Sequence, residues 1–125
     1  MNAEKPNRIM VVDDSTTILN TARKFLSPTY DVITVDDGFK CLAAVQEARP
    51  DLILMDIMMP KLNGYQALQL IRANPDFENL PIVILSGKDS PFDKARGNLM
   101  GCDDYLVKPF ERQGLLDVVR RHLRR

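Results

Sequence analysis

At 125 residues the chain has the size of one compact domain, typically ~100 to 150 residues, and leaves no room for a second catalytic or DNA-binding domain. Acidic and basic residues balance at 17 each, so no global field draws the molecule to nucleic acid. Two cysteines, Cys41 and Cys102, without metal-type spacing argue against a secreted disulfide framework and for reduced thiols.

The N-terminus lacks the apolar stretch of a signal peptide, and no run approaches the ~20 apolar residues of a membrane helix. The expectation is a soluble, cytoplasmic protein with an ordered core over residues 8–124 behind a short tail, 1–7.

Taken in chain order, the first apolar run is Arg8 to Val12, closed by Asp13 and Asp14. Ser15 is placed to cap a helix whose apolar residues Ile18, Leu19, Ala22, Phe25 and Leu26 recur at helical spacing and stop before Ser27-Pro28. A second strand, Asp31 to Val35, precedes a helix marked by Phe39, Leu42 and Ala43. The third strand, Leu52 to Met55, runs into Asp56, and Ala67, Leu68 and Ile71 mark a third helix ending at Asn74-Pro75. Ile82 to Leu85 is the fourth strand, followed by Ser86, then a weaker helical stretch from Phe92 to Met100 with Gly101 as terminator. Tyr105 to Val107 and a last helix through Leu115, Leu116, Val119 and Leu123 complete the chain.

Short apolar runs alternating with helical segments predict an α/β fold, a doubly wound parallel sheet of five strands with five helices. Such sheets bind ligands at the carboxyl ends of their strands. Asp13, Asp14, Asp56, Ser86 and Lys108 all stand at those ends. Three converging carboxylates would repel unless a cation neutralised them, and oxygen donors without His or Cys favour Mg²⁺ over zinc. With Lys108, the cation would draw a phosphate toward Asp56, whose carboxylate can act as nucleophile.

Together these residues resemble the receiver domains of bacterial two-component systems, of which the CheY-like chemotaxis proteins are the simplest kind. The resemblance rests on Val11-Val12-Asp13-Asp14-Ser15, on Leu54-Met55-Asp56-Ile57-Met58-Met59-Pro60 with Gly64, on Ile84-Leu85-Ser86-Gly87, and on Lys108-Pro109-Phe110. It spans Ile9 to about Leu123 and implies the flavodoxin-like strand order 2-1-3-4-5. It further implies that Asp56 is the phosphoacceptor, that Asp13, Asp14, Asp56 and the Met58 backbone carbonyl hold Mg²⁺, and that Lys108 pairs with the phosphoryl oxygens. Ser86 and Tyr105 match the switch pair, Gly87 leaves the acceptor accessible, and the Lys108–Pro109 bond is expected to be cis.

The implied role is that of a monomeric, non-enzymatic response regulator. It takes phosphate from a CheA-like histidine kinase and presents a binding face to a downstream effector protein, with no nucleic acid and no membrane insertion involved. A narrower likeness, to receivers of type IV pilus twitching motility, rests on the stretch from Asp56 to Gln66, on Ser86 to Gly97, and on Gly101 to Phe110.

Each residue also has a plainer reading. Adjacent aspartates are commonly a turn or cap, Ser86 a turn residue, Lys108 a solvated charge, Tyr105 a half-buried strand aromatic, and Met58 and Met59 packing. His122, among Arg120, Arg121, Arg124 and Arg125, reads as a solvated helix end that complements the macrodipole, and the cysteines read as buried filler. Three other functions fit the residues less well. An aspartyl-phosphate phosphatase needs a second carboxylate two residues past the nucleophile, where Met58 stands. A flavin carrier would meet Asp-Asp-Ser at its phosphate turn, and an unphosphorylated scaffold would not need the full acidic and lysine set. Ser86 in place of the family's frequent threonine lacks the methyl that restricts its rotamer. Met58 and Lys88 occupy the positions that tune phosphate lifetime.

Overall fold

A computed structural model describes residues 6–57, 64–87 and 101–123. Five parallel strands, β1 (Arg8–Val12), β2 (Asp31–Val35), β3 (Leu52–Asp56), β4 (Ile82–Gly87) and β5 (Asp104–Lys108), form one sheet in the order β2-β1-β3-β4-β5. Among the described residues the α-helices are α1 (Thr16–Leu26), α2 (Gly38–Ala48), α3 (Gly64–Arg72) and α4 (Arg112–Leu123), with a single 3-10 turn at Pro75–Phe77. The helix expected over 92–100 lies outside the described residues.

Side chains alternate across a strand, and here the alternation divides one core into two layers. Met10, Val12, Ile53, Met55, Ile82 and Ile84 point to the face covered by α2 and α3. Ile9, Val11, Leu52, Leu54, Val83 and Leu85 point to the face covered by α1 and α4. Both faces are apolar because helices cover both.

Local signals set where the helices start. Ser15 accepts the Ile18 N–H at 3.4 Å and Asp37 accepts the Phe39 N–H at 2.8 Å, each satisfying an amide that α1 or α2 cannot satisfy internally. Arg23 reaches from α1 over the free edge of β2 and donates to Val32 O at 3.5 Å and Thr34 Oγ1 at 3.0 Å. That contact blunts an edge otherwise open to strand pairing.

The Arg72 guanidinium, at the end of α3, joins the far side of the sheet together. It donates to Gly101 O (2.9 Å), Phe77 O (2.9 Å), Leu80 O (2.6 Å) and Asp103 Oδ2 (2.8 Å). Asp103 Oδ2 also accepts the Ile82 N–H at 2.8 Å, so the entries to β4 and β5 share one carboxylate. Gly101 takes φ +100°, and a Cβ there would meet Arg72 Cγ at 3.2 Å, so glycine serves both the left-handed backbone and the close approach of Arg72. Arg72→Lys is expected to cost about 2 kcal/mol, because one ammonium cannot replace a planar fork serving four acceptors. Urea unfolding would show it as a lowered midpoint.

Cys41 and Cys102 are free and buried, as the sequence suggested. Burial pushes the Cys41 thiol up to about 12, and burial first, then the charges of Asp103 and Asp104, raises that of Cys102. Since the thiolate is the reactive form, native protein at pH 8 is expected to react with a thiol reagent slowly, and both thiols quickly once guanidinium unfolds it. Fast native labelling of Cys41 would contradict this packing.

One reading of the sequence needs correction. His122 is not part of a solvated helix end: its ring is largely buried, with Nε2 2.8 Å from Asp104 Oδ2. Arg121 contacts the same oxygen at 2.8 Å while its own side chain stays largely exposed. A carboxylate at the start of β5 recruits the last turn of α4, a contact across 18 positions that helix composition does not reveal.

Candidate functional site at the carboxyl ends of the strands

The register brings the polar strand ends together. Val12 pairs with Met55, so Asp13 and Asp56 follow abreast on adjacent strands. Asp56 pairs with Leu85, which places Ser86 one step further along β4. Gly87 pairs with Lys108, which ends β5. Ladder pairing runs further than the apolar composition, so Asp56, Ser86 and Lys108 are strand residues rather than the turn residues that follow.

Asp13 (0 % exposed), Asp56 (3 %) and Ser86 (4 %) are the buried polar side chains of the described core. Carboxylate oxygens of Asp13, Asp14 and Asp56 all lie within 4.8 Å of one another, and Asp14 is exposed. Lys108 Nζ donates to Asp13 Oδ2 at 3.1 Å and lies 3.4 Å from Asp56 Oδ2. The other Asp13 oxygen accepts the Ser15 N–H at 2.9 Å, so the turn into α1 orients this carboxylate. Ser86 Oγ donates to Gly87 O at 3.3 Å.

Burial alone would lower the Lys108 pKa, but the hydrogen bond and charge of Asp13, and then the charge and hydrogen bond of Asp56, raise it above its ordinary value. The ammonium is therefore firmly charged. One cation still leaves a surplus of negative charge: at 4.8 Å, two carboxylates repel by about 3 to 4 kcal/mol at an effective dielectric near 20. The donor set is all hard oxygen, without His or Cys, which fits Mg²⁺ rather than zinc. Asp13, Asp14 and Asp56 are the residues that would hold such an ion; Met58, expected to add its carbonyl, lies outside the described residues.

The Lys108–Pro109 bond is cis. Phe110 packs edge-on against Phe25 of α1, with ring centroids 6.5 Å apart, which fixes the chain just after Lys108 against the α1 layer. A Cβ on Gly87 would meet nothing within 4 Å, so small size is not forced there by the described neighbours. Tyr105 is half-buried, packed against the layer under α2 and α3.

The response regulator receiver domain model matches residues 9–120. The chain belongs to the response regulator receiver family. This receiver is 46 % identical over 117 residues to Protein PilG of Pseudomonas aeruginosa, covering 93 % of this chain and 87 % of that protein. It is 39 % identical to the DNA-binding response regulator MtrA of Mycobacterium tuberculosis over 94 % of this chain but only 51 % of MtrA, about half of that longer protein. Among solved structures it resembles the chemotaxis response regulator CheY4 of Vibrio cholerae, with a TM-score of 0.88 at 33 % identity, covering 95 % of this chain and 100 % of that one. A response regulator from Chloroflexus aurantiacus gives a TM-score of 0.90 at 31 % identity, covering 97 % and 100 %.

Receiver domains take phosphate from histidine kinases, act on downstream effectors and bind Mg²⁺ at acidic residues; they are not enzymes in the usual sense. The strand order 2-1-3-4-5 expected from the motifs is the one observed. No helix among the described residues is long and apolar enough to cross a membrane. The sequence did not mark the Ser15 N–H that orients Asp13, because a backbone donor leaves no trace in residue type.

Proposed function

We propose that this chain is a stand-alone response regulator that accepts a phosphoryl group on Asp56 from a CheA-like histidine kinase and so switches a protein-binding face. The observation that carries the reading is the convergence of three carboxylates and the Lys108 ammonium around Asp56 at one sheet edge. Likeness to PilG and to a chemotaxis regulator supports a chemotaxis-like pathway controlling type IV pilus twitching, in the cytoplasm, with the regulator acting as a monomer.

In this reading the Asp56 carboxylate attacks the phosphorus of the kinase's phosphohistidine, the P–N bond breaks and the imidazole leaves with a proton from solvent. The new charge of about −1.5 to −2 on Asp56 attracts Lys108, which leaves its contacts with Asp13 and Asp56. Asp13, Asp14 and Asp56, joined by the Met58 carbonyl expected from the family resemblance, would hold Mg²⁺, which would supply charge neutralisation for the transferring group. Ser86 turns from Gly87 O to donate to a phosphoryl oxygen. The space it vacates lets Tyr105 move inward, a bias on an existing equilibrium.

Incubation with acetyl phosphate and Mg²⁺ is expected to add one phosphoryl group, removable by hydroxylamine as an acyl phosphate must be. No incorporation, or a hydroxylamine-stable product, defeats the proposal. Phosphotransfer from candidate kinases of the same genome, followed by capture of proteins that bind the phosphorylated form, identifies the pathway. Met58 cannot orient an attacking water, so the phosphoaspartate is expected to decay slowly; a half-life of seconds in a label-loss assay speaks against that role.

A further inference from the structure

The receiver carries a single histidine, and the fold places it in a contact that reaches Tyr105. His122 Nε2 lies 2.8 Å from Asp104 Oδ2, with the two side chains only 15 % and 18 % exposed. Arg121, in the same turn of α4, places Nη1 2.8 Å from that oxygen. The second Asp104 oxygen accepts the Tyr105 N–H at 2.8 Å. One carboxylate thus joins the end of α4 to the backbone of the residue that follows it in β5.

We propose that this contact is a pH-sensitive tie: gain or loss of a proton on His122 changes its bond to Asp104, and Asp104 passes the change to Tyr105 and the face formed by β5 and α4. A neutral imidazole has one N–H, whereas the cation has two, and a charge-assisted hydrogen bond is roughly twice as strong as a neutral one. Imidazole is the side chain whose ordinary titration falls between about pH 5 and 8. Asp104 stays ionised over that interval. Burial pushes its carboxyl up, but the bonds from His122 and from the Tyr105 N–H, together with the charges of His122 and Arg121, outweigh burial and hold it below its usual value.

Charged groups approach His122 from β5 and from its own helix. From β5 it meets Asp104, and on its own helix Arg121 shares that carboxylate. Asp103, next in the chain, is paired with Arg72. Elsewhere on α4, Asp117 accepts from Gln113 and Arg120 is exposed; Arg124 and Arg125 follow in sequence. On α1, which packs on α4, Arg23 is turned to the β2 edge and Lys24 is exposed. β3 contributes Asp56 at its opposite end. Asp104 opens β5 and Lys108 closes it, a span of about 13 Å at strand rise, so the tie is separate from the acidic cluster and stands whether or not Asp56 is phosphorylated.

Two-dimensional NMR of the whole chain between pH 5 and 8 tests the tie. The Tyr105 amide is expected to shift with a single inflection that coincides with the titration of the His122 ring. In His122→Gln, which keeps a neutral donor near Asp104, the inflection should vanish while the spectrum stays folded. In Asp104→Asn the ring should still titrate, but the Tyr105 amide should no longer follow it. A Tyr105 amide that is flat in the native protein, or an inflection that persists in His122→Gln or Asp104→Asn, overturns the proposal.

Discussion

Asp56→Asn is expected to abolish phosphoryl incorporation from acetyl phosphate or kinase while leaving a folded protein. An amide has no anionic oxygen to attack phosphorus, and no other described carboxylate shares the position of Asp56. Asp13 is fully buried with both oxygens engaged, by Lys108 and by the Ser15 N–H, and Asp14 is exposed at the edge of the cluster. The fold should tolerate the change, because Asn keeps the shape at a 3 % exposed site and removes one of three mutually repelling charges. In metal-free buffer the variant should therefore unfold at a denaturant concentration equal to or above that of the native chain. Mass spectrometry after acetyl phosphate treatment gives the first answer and urea unfolding the second. Persistent hydroxylamine-labile phosphate would move the acceptor elsewhere; a collapsed fold would show that Asp56 supports the core directly.

Much of this site was legible in the sequence because its parts stand where apolar runs stop. Val12 to Asp13, Met55 to Asp56 and Leu85 to Ser86 each mark a change from buried strand to polar end, and parallel topology does the rest by aligning those ends. Strand limits differed by a residue or two at β3, β4 and β5, since backbone pairing continues through Asp56, Gly87 and Lys108 after hydrophobicity has ended. Contacts set by tertiary packing were not legible. Arg72 reads as an ordinary basic residue near a helix end, yet its four acceptors come from the 3-10 turn, the segment after it and the entry to β5. His122 reads as one more charge in a basic helix end, yet Asp104 draws it out of solvent. In both cases the partner is an acceptor on another element, and local patterning carries no record of which face will meet it.

Lys108→Ala should have the largest effect on stability, expected to be about 3 kcal/mol, the lower end of the usual cost of removing one partner from a buried ion pair. The lower end applies because Lys108 is 18 % exposed while the Asp13 it pairs with is 0 % exposed, so water can partly replace the ammonium. Loss of aliphatic packing would also destabilise this variant, and a second substitution separates the two causes. If uncompensated charge is responsible, adding Asp13→Asn to Lys108→Ala should recover part of the loss, since the charge left buried is then gone. If packing is responsible, the two losses should add. Mg²⁺ gives an independent reading: bound among Asp13, Asp14 and Asp56, it would supply the missing positive charge, so millimolar Mg²⁺ should stabilise Lys108→Ala more than the native chain, with the difference growing as concentration rises. Equal Mg²⁺ stabilisation of both proteins, together with additive losses in the double variant, would mean that Lys108 is held at the strand ends by packing and that its distances to Asp13 and Asp56 carry little energy.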